Sequence, residues 1–364
     1  MVLSGCTAAA PVRTATTYPI PNNNIGDLPT QAQSSDTRSS DTADSHSDPD
    51  PHPAPGSHSD PDSDSSPDPD PDLSADPSHL HPRIAGTVED SRLTEISGLA
   101  HSIAHRDVLY AVNDSGNAPV LYALDGKGKS LASWPLDVAN RDWEEMTTLS
   151  VANRHFLVIG DTGDNLQAHK VSFLHFLGEP QVPGASQILQ PDFTVRFRYE
   201  DGPRNVEAFA ADGNTLYMLS KEPVTSAGTS PSGIYQLTLP DINNLDPEQV
   251  LIARRVGNMP TARRSVIARL AVALAGVDLS HPTAMVFSRN NTDAYILTYE
   301  DILHVKRKPG QSWAVALTQP ARRLFTHNLK QAEAMALSSS ETLWLTSEGT
   351  DSPLWSVPTV PPPL

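Results

Sequence analysis

The chain is 364 residues long, room for two average domains, with 43 acidic against 26 basic residues and a formal net charge of −17. That balance excludes a nucleic-acid binder, because phosphate neutralisation needs clustered Lys and Arg. Arg254, Arg255, Arg263, Arg264 and Arg269 are a local basic group without interleaved aromatics and read as a solvated face. No apolar run reaches the roughly 20 residues that span a bilayer; the longest, Val266 to Val277, is broken by Arg269.

Residues 1–82 hold 13 of the acidic residues, all Asp, and only Arg13 and Arg38 as basic ones. From Ser34 to Pro82 the chain is almost entirely Ser, Asp, Pro and His, with Asp-Pro recurring at Asp48, Asp60, Asp68 and Asp70. Pro removes backbone donors, like charges repel, and there is too little apolar surface to offset ordering entropy, so this stretch is expected to be a disordered tether. Cys6 is the only cysteine, which rules out an intrachain disulfide. Leu3-Ser4-Gly5-Cys6 resembles the lipobox of bacterial lipoproteins. The resemblance implies lipidation of Cys6 and a cell-envelope location, facing the periplasm or the surface, with membrane contact only through that anchor. Five residues before Cys6 are fewer than the apolar core of an export signal, so the alternatives are a start further upstream or a cytoplasmic protein beginning at Met1.

After residue 82 the sequence reads as strands: short runs rich in Val, Leu, Tyr and Phe, punctuated by Gly, Asn, Asp and Pro. The first, Arg83 to Glu89, stands alone. Four follow between Glu95 and Asp142 (ISGLAH, VLYAVN, PVLYALD, SLASWPL), four more after Glu144 (MTTLSV, HFLVIG, VSFLHF, FTVRFRY) and four after Glu207 (AFAAD, TLYMLS, GIYQLTL, VLIARRV). Arg263 to Val277 is the main helical candidate. From Thr283 come AMVFS, AYILTY, ILHVKR and WAVALT, and from Glu333 only three, AMALS, TLWLTS and PLWSVP. Four antiparallel strands repeated about every 50 residues are the unit of a β-propeller blade. The expected fold is therefore all-β: a five-bladed propeller over residues 83–358, its last blade completed by Arg83–Glu89, followed by a Pro-rich end at 359–364. A degenerate sixth blade around residues 250–280 is the alternative.

Glu95-Ile96-Ser97-Gly98-Leu99, Asn113-Asp114-Ser115-Gly116, Asp142-Trp143-Glu144, Gly160-Asp161-Thr162-Gly163-Asp164-Asn165 and Val206-Glu207-Ala208 resemble the phrases of a largely uncharacterised family of bacterial secreted or lipoprotein β-propellers. The resemblance covers about residues 86–357 and implies a fold without a settled activity. A more distant likeness, in architecture alone, is to phytase-like and gluconolactonase- or paraoxonase-like propellers, which use calcium.

First strands of propeller blades line the central channel. Glu95, Glu144, Glu207 and Glu333 open the repeats, with Thr283 as the gap, and are expected to ring that channel. Asp114, Asp161, Glu222, Glu300 and Glu348 close the second strands and are expected on the same face. Converging carboxylates raise one another's pKa unless cations compensate, and hard oxygens in this number suit Ca2+, which takes 6–8 of them. The metal candidates are thus Glu95, Asp114, Glu144, Asp161, Asp164, Asn165, Glu207 and Glu333, and the ligand-face candidates Lys221, Glu222, Glu300 and Glu348. The alternative for each acid is a turn or strand-end cap, a role for which Asp, Asn, Ser and Gly are suited. Trp143, Trp313, Trp344 and Trp355 are expected to pack between blades.

Phosphate-cradling loops, HExxH, CxxC and GxSxG are absent from the sequence. The function expected is a monomeric, lipid-anchored propeller that binds a protein or a polar small molecule through an acidic face occupied by Ca2+. The alternative is a metal-dependent hydrolase of lactones or phosphoesters.

Overall fold

The structure is a computed structural model and describes residues 82–151, 153–182, 187–225, 228–229, 231–260 and 278–359. The tether with Cys6, the whole helical candidate Arg263–Val277 and the last residues of the Pro-rich end lie outside these. All described residues belong to one compact unit, the second of the chain's two, 69–364.

That second unit is a five-bladed β-propeller. Strand β1 (Arg83–Thr87) precedes blade 1, which is β2 (Ile96–His101), β3 (Val108–Asn113), β4 (Val120–Asp125) and β5 (Ser130–Pro135). Blade 2 is β6 (Trp143–Val151), β7 (Arg154–Asp161), β8 (Ser172–Gly178) and β9 (Phe193–Tyr199). Blade 3 is β10 (Val206–Asp212), β11 (Thr215–Ser220), β14 (Gly233–Thr238) and β15 (Val250–Asn258), with the hairpin β12 (Val224–Thr225) and β13 (Gly228–Thr229) inserted. Blade 4 is β16 (Pro282–Phe287), β17 (Asp293–Thr298), β18 (Asp301–Lys306) and β19 (Arg322–Thr326). Blade 5 is β20 (Ala332–Leu337), β21 (Thr342–Ser347) and β22 (Pro353–Pro358), and β1 pairs antiparallel with β22 as its fourth strand. The two ends of the propeller are thereby locked in one sheet, and that sheet presents no open chain end.

Each blade interface has its own apolar cluster. Tyr110 and Trp134 meet Met146 and Leu157 between blades 1 and 2. Phe156 and Phe176 meet Phe209 and Tyr235 between blades 2 and 3, and Ile234 meets Ile296 and Trp313 between 3 and 4. Blades 4 and 5 share Leu297 and Met335, and blades 5 and 1 share Ala336 and Leu99. Strands sandwiched this way are buried on both faces, which is why β2 and β3 read as continuous apolar runs rather than alternating ones. Because blades 3 and 4 pack directly on each other, no sixth blade stands between them. The outermost strands β9 and β15 pair in parallel and join blades 2 and 3 into one eight-stranded sheet.

One expected strand is a helix. Residues 313–318 do not form the last strand of blade 4; Trp313–Ala316 is a short helix, α1, and β19 supplies the strand instead. Trp313, Ala316 and Leu317 are buried at helical spacing, and the Ser312 side chain caps the turn by accepting from the Val315 N–H. Trp313 stacks on Phe287 at 4.1 Å, and its Nε1 donates to Asn291 Oδ1 at 2.7 Å. Trp143 and Trp313 do pack between blades, as expected of them.

Candidate functional site

Every first strand carries the same irregularity near its start, a shift in register that leaves one residue opposite no partner. The shifts fall at Ile96/Gly98, Trp143/Glu145, Val206/Ala208, Pro282/Ala284 and Ala332/Ala334. The extra residue is Ser97, Glu144, Glu207, Thr283 or Glu333, and a bulge of this kind re-aims its side chain. Three carboxylates and two hydroxyls therefore occupy the equivalent inner positions. The hydroxyls bridge blades: Ser97 Oγ donates to the Trp143 carbonyl and Thr283 Oγ1 to the Ala332 carbonyl, both at 2.7 Å.

This register corrects two expected alignments. Glu95 is not the blade 1 counterpart of Glu144. It stands two residues before the bulge residue, as Asp142, Asn205, His281 and Gln331 do, and it is exposed, accepting from Asn117 Nδ2 at 2.6 Å. The second-strand set is also out of step. In four blades the residue following the second strand donates its N–H to that pre-bulge position, as Asp114 does to Glu95, Thr162 to Asp142, Lys221 to Asn205 and Glu348 to Gln331. The equivalent rim positions are Asp114, Thr162, Lys221, Tyr299 and Glu348, with Asp161 one residue early and Glu222 and Glu300 one late.

The mouth has two chemically different halves. In the half built by blades 1 and 2, one carboxylate oxygen from each of Asp114, Asp142 and Glu144 lies within 4.8 Å of the others. Asn140 fastens them together: its Nδ2 donates to the carbonyls of Asn113 and Asp114, and its Oδ1 accepts from the Trp143 N–H. The loop after β7 closes from above, with Thr162 and Gly163 N–H bonded to the Asp142 carbonyl. Gly163 is required by space, since a Cβ there would lie 2.4 Å from both Asp142 Cγ and Glu144 Oε1. The acids of that loop are spent on the loop itself. Asp161 pairs with Arg141 at 2.8 Å, and Asp164 accepts the N–H groups of Ala168 and His169. Asn165 Oδ1 accepts from Asn205, and Glu222 from Ser220 Oγ. The turn-forming role is thus what the bonds of Asp164 show, while Asp161 is held by its ion pair with Arg141.

In the half built by blades 3 to 5, Lys221 Nζ donates to Glu207 Oε1 at 2.6 Å and to the Tyr299 hydroxyl at 3.0 Å. Tyr299 in turn donates to Glu333 Oε1 at 2.7 Å, and Glu333 is hydrogen-bonded to Glu348. Glu207 is only 4% exposed, and its Oε2 has no hydrogen-bond partner. A cleft of about 700 Å3 opens over this half, with Lys221, Tyr299, Asn165 and Gln331 among its walls.

Burial and crowding set the electrostatics. Burial pushes Asp114 up to about 7, helped by the charges of Asp142 and Glu333. Burial, then Glu207 and Asp114, hold Glu144 well above the usual carboxylate range. Burial raises Glu207 to about 7 against the pull of Lys221, and burial with Glu348 raises Glu333 to about 7. For Lys221, desolvation is outweighed by Glu207, so its ammonium is held more firmly than in water.

Behind the mouth the channel is plugged by Glu145, which is 1% exposed. Its carboxylate accepts from the N–H of Met146 at 2.9 Å, of Met285 at 3.0 Å and of Phe209, so it bridges β6, β16 and β10. Beyond it a small cavity of about 90 Å3 opens among Met146, Thr148 and Ala336 at the other end. Asp142, Glu145, Ser97 and Tyr299 were not among the sequence candidates. Aligning the repeats on the apolar pair flanking the bulge (Ile96/Leu99, Trp143/Met146, Val206/Phe209, Ala332/Met335) would have exposed the first three.

No family model matches the chain, and no curated protein matches it. Among solved structures it is similar to the soluble aldose sugar dehydrogenase of Escherichia coli in its apo form, at 10% identity over 78% of this chain and 100% of that one, with a TM-score of 0.39. It is also similar to the Malassezia sympodialis allergen Mala s 1 (13%, 74% and 95%, TM-score 0.45). A third is the calcium structure of the Trichoderma reesei family AA12 carbohydrate-active enzyme (13%, 71% and 80%, TM-score 0.38). The propeller architecture rests on the strand pairing itself, and no chemistry is carried over from these proteins.

Proposed function

We propose that this propeller is a binding module whose channel mouth holds Ca2+ on Asp114, Asp142 and Glu144 and presents the ion to a polar ligand in the adjoining cleft. The convergence of those three carboxylates carries the reading. Glu144 supports it, being 5% exposed and crowded by Glu207, Asp114 and Asp142. A carboxylate buried among others is costly unless a cation or proton satisfies it. Three carboxylates supply three to six of the oxygens Ca2+ takes, which leaves positions for a ligand.

Calorimetric titration of the full chain with Ca2+ tests this, with melting temperature as a second readout. Glu144→Gln and Asp114→Asn are expected to weaken uptake at least tenfold and to abolish the rise in melting temperature that ligand binding to the native state produces. Uptake unchanged in both variants would exclude the site. Gly163→Ala provides a finer check. Its new methyl must displace the ends of Asp142 and Glu144, so Ca2+ affinity is expected to fall at least tenfold while stability changes by only about 1–2 kcal/mol, at the low end for overpacking.

A second reading, metal-assisted hydrolysis of a lactone or phosphoester, is favoured by one observation: Glu207, held near 7, lies beside this site and has the acidity of a general base. Turnover of lactone or phosphoester substrates that is lost in Glu207→Gln is its expected signature. Placement in the cell envelope rests on Leu3-Ser4-Gly5-Cys6 alone. Mass spectrometry of the mature N-terminus decides it, a lipidated Cys6 being the expected result.

A further inference from the structure

On the face opposite the mouth, a second cleft of about 560 Å3 lies between blades 4 and 5. Its walls include the turn from β16 to β17, the turn from β20 to β21 and one cross-strand row of blade 4. In that row Tyr295 stands opposite His304 on β18, and His304 stands opposite Arg322 on β19. Residues paired in this way share one side of a sheet. Tyr295 belongs to the apolar cluster that joins blade 4 to blade 5, so the row faces blade 5. The Tyr295 ring stacks on His304 with centroids 5.4 Å apart, and His304 Nε2 is hydrogen-bonded to Asp293 Oδ1 at 2.7 Å. Stack and bond together fix the imidazole and leave Nδ1 as the ring nitrogen for a ligand.

Two guanidinium groups line the same cleft, in a protein that is otherwise strongly acidic. Arg322 is near enough to the Tyr295 hydroxyl to act on it electrostatically. Arg289 is exposed on the β16–β17 turn, and its backbone N–H donates to Glu341 Oε1 at 3.1 Å, which ties that turn to blade 5. The acids of the cleft are engaged by these neighbours: Asp293 by His304 and the Thr292 hydroxyl, Glu341 by the Arg289 N–H. The bond from His304 holds the Asp293 carboxyl below the usual range. Guanidinium forks match phosphate and carboxylate oxygens, and an imidazole nitrogen accepts from a P–OH or, when protonated, donates to a P–O−. A phosphoryl group has three terminal oxygens for these three partners, whereas a carboxylate has two. At about 560 Å3 the cleft is within the range of about 300–1,000 Å3 for small-molecule sites, with room for an organic body beyond the phosphoryl group. We infer that this cleft binds a phosphate monoester, its phosphoryl group seated among Arg289, Arg322 and His304. The site lies at the other end of the blades from the carboxylates of the mouth and is independent of any cation held there.

Titration calorimetry of the full chain in metal-free buffer tests it, with inorganic phosphate, glycerol 3-phosphate and phenyl phosphate as probes and benzoate as the carboxylate control. Saturable uptake of at least one phosphate monoester at one site per chain is expected, with benzoate at least tenfold weaker than phenyl phosphate. Arg289→Ala and Arg322→Ala are each expected to weaken the uptake at least tenfold, and Arg289→Lys, which keeps the charge and loses the fork, to weaken it less. Arg289 is exposed, so its variants keep the test open should Arg322→Ala fail to fold by circular dichroism. No saturable uptake of either monoester at millimolar concentration overturns the inference. Uptake that is unchanged in the arginine variants places the phosphate elsewhere and overturns it as well. Benzoate bound as tightly as phenyl phosphate overturns the phosphoryl assignment.

Discussion

Glu145→Ala is expected to destabilise the propeller by about 3–5 kcal/mol, the range for removing an acceptor that leaves buried backbone donors unsatisfied at about 1–3 kcal/mol each. The inner edge of every blade faces the channel and has no neighbouring strand, so its N–H groups must find other partners. Glu145 supplies them at the narrowest point, joining its own strand β6 to β10 and β16 across the channel. Glu145→Gln keeps one acceptor and turns the other end into a donor aimed at N–H groups, so it is expected to lose roughly half as much. Denaturant unfolding of the two variants measures this. An alanine variant within about 1 kcal/mol of wild type would show that channel water replaces the carboxylate at little cost.

The same residue marks where the sequence was readable and where it was not. Blade number and closure follow from features that local chemistry dictates: apolar runs of strand length, turn residues between them, and a lone strand at Arg83 with only three strands after Glu333 to need it. Strand WAVALT failed because Trp313, Ala316 and Leu317 fit a helical period in a segment too short for the period to stand out. The acidic ring was found, but its phase was wrong in blade 1 because carboxylates were aligned with carboxylates. A bulge inserts a residue without changing composition, so Glu95 looked like Glu144 when Ser97 holds that position. Likewise Asp161 and Asp164 carry the richest acidic wording in the chain, yet their oxygens are consumed by Arg141 and by local backbone. What their loop contributes is the absence of a side chain at Gly163.

The mouth carboxylates are expected to lower the stability of the chelated protein as pH rises from about 4.5 to about 7, the reverse of the usual behaviour of carboxylates. Glu207 and Glu333 each titrate near 7 in the native state, whereas an unfolded glutamate titrates near 4.3. Between those values the native state retains protons that the unfolded chain has released, so unfolding becomes more favourable with rising pH. Glu207 alone contributes about 3 kcal/mol across the window, taking about 1.4 kcal/mol per pH unit, and Asp114, raised to about 7, acts in the same direction. Lys221 does not oppose it, since its raised pKa keeps it charged throughout, but His175, lowered to about 4 by burial, and His327, also lowered, do oppose it up to about pH 6.5, where the unfolded imidazoles still hold protons. On the proposed site Ca2+ would replace the protons at Asp114 and Glu144 as the charge they need, so adding it should flatten the decline above pH 6, and Glu207→Gln should remove part of the slope. Melting temperatures of wild type and Glu207→Gln between pH 5 and 8, with chelator and with Ca2+, supply the test; a difference between the two chelated proteins that is level or rises over that range would mean that the mouth is wetter and its carboxylates less strained than its geometry requires.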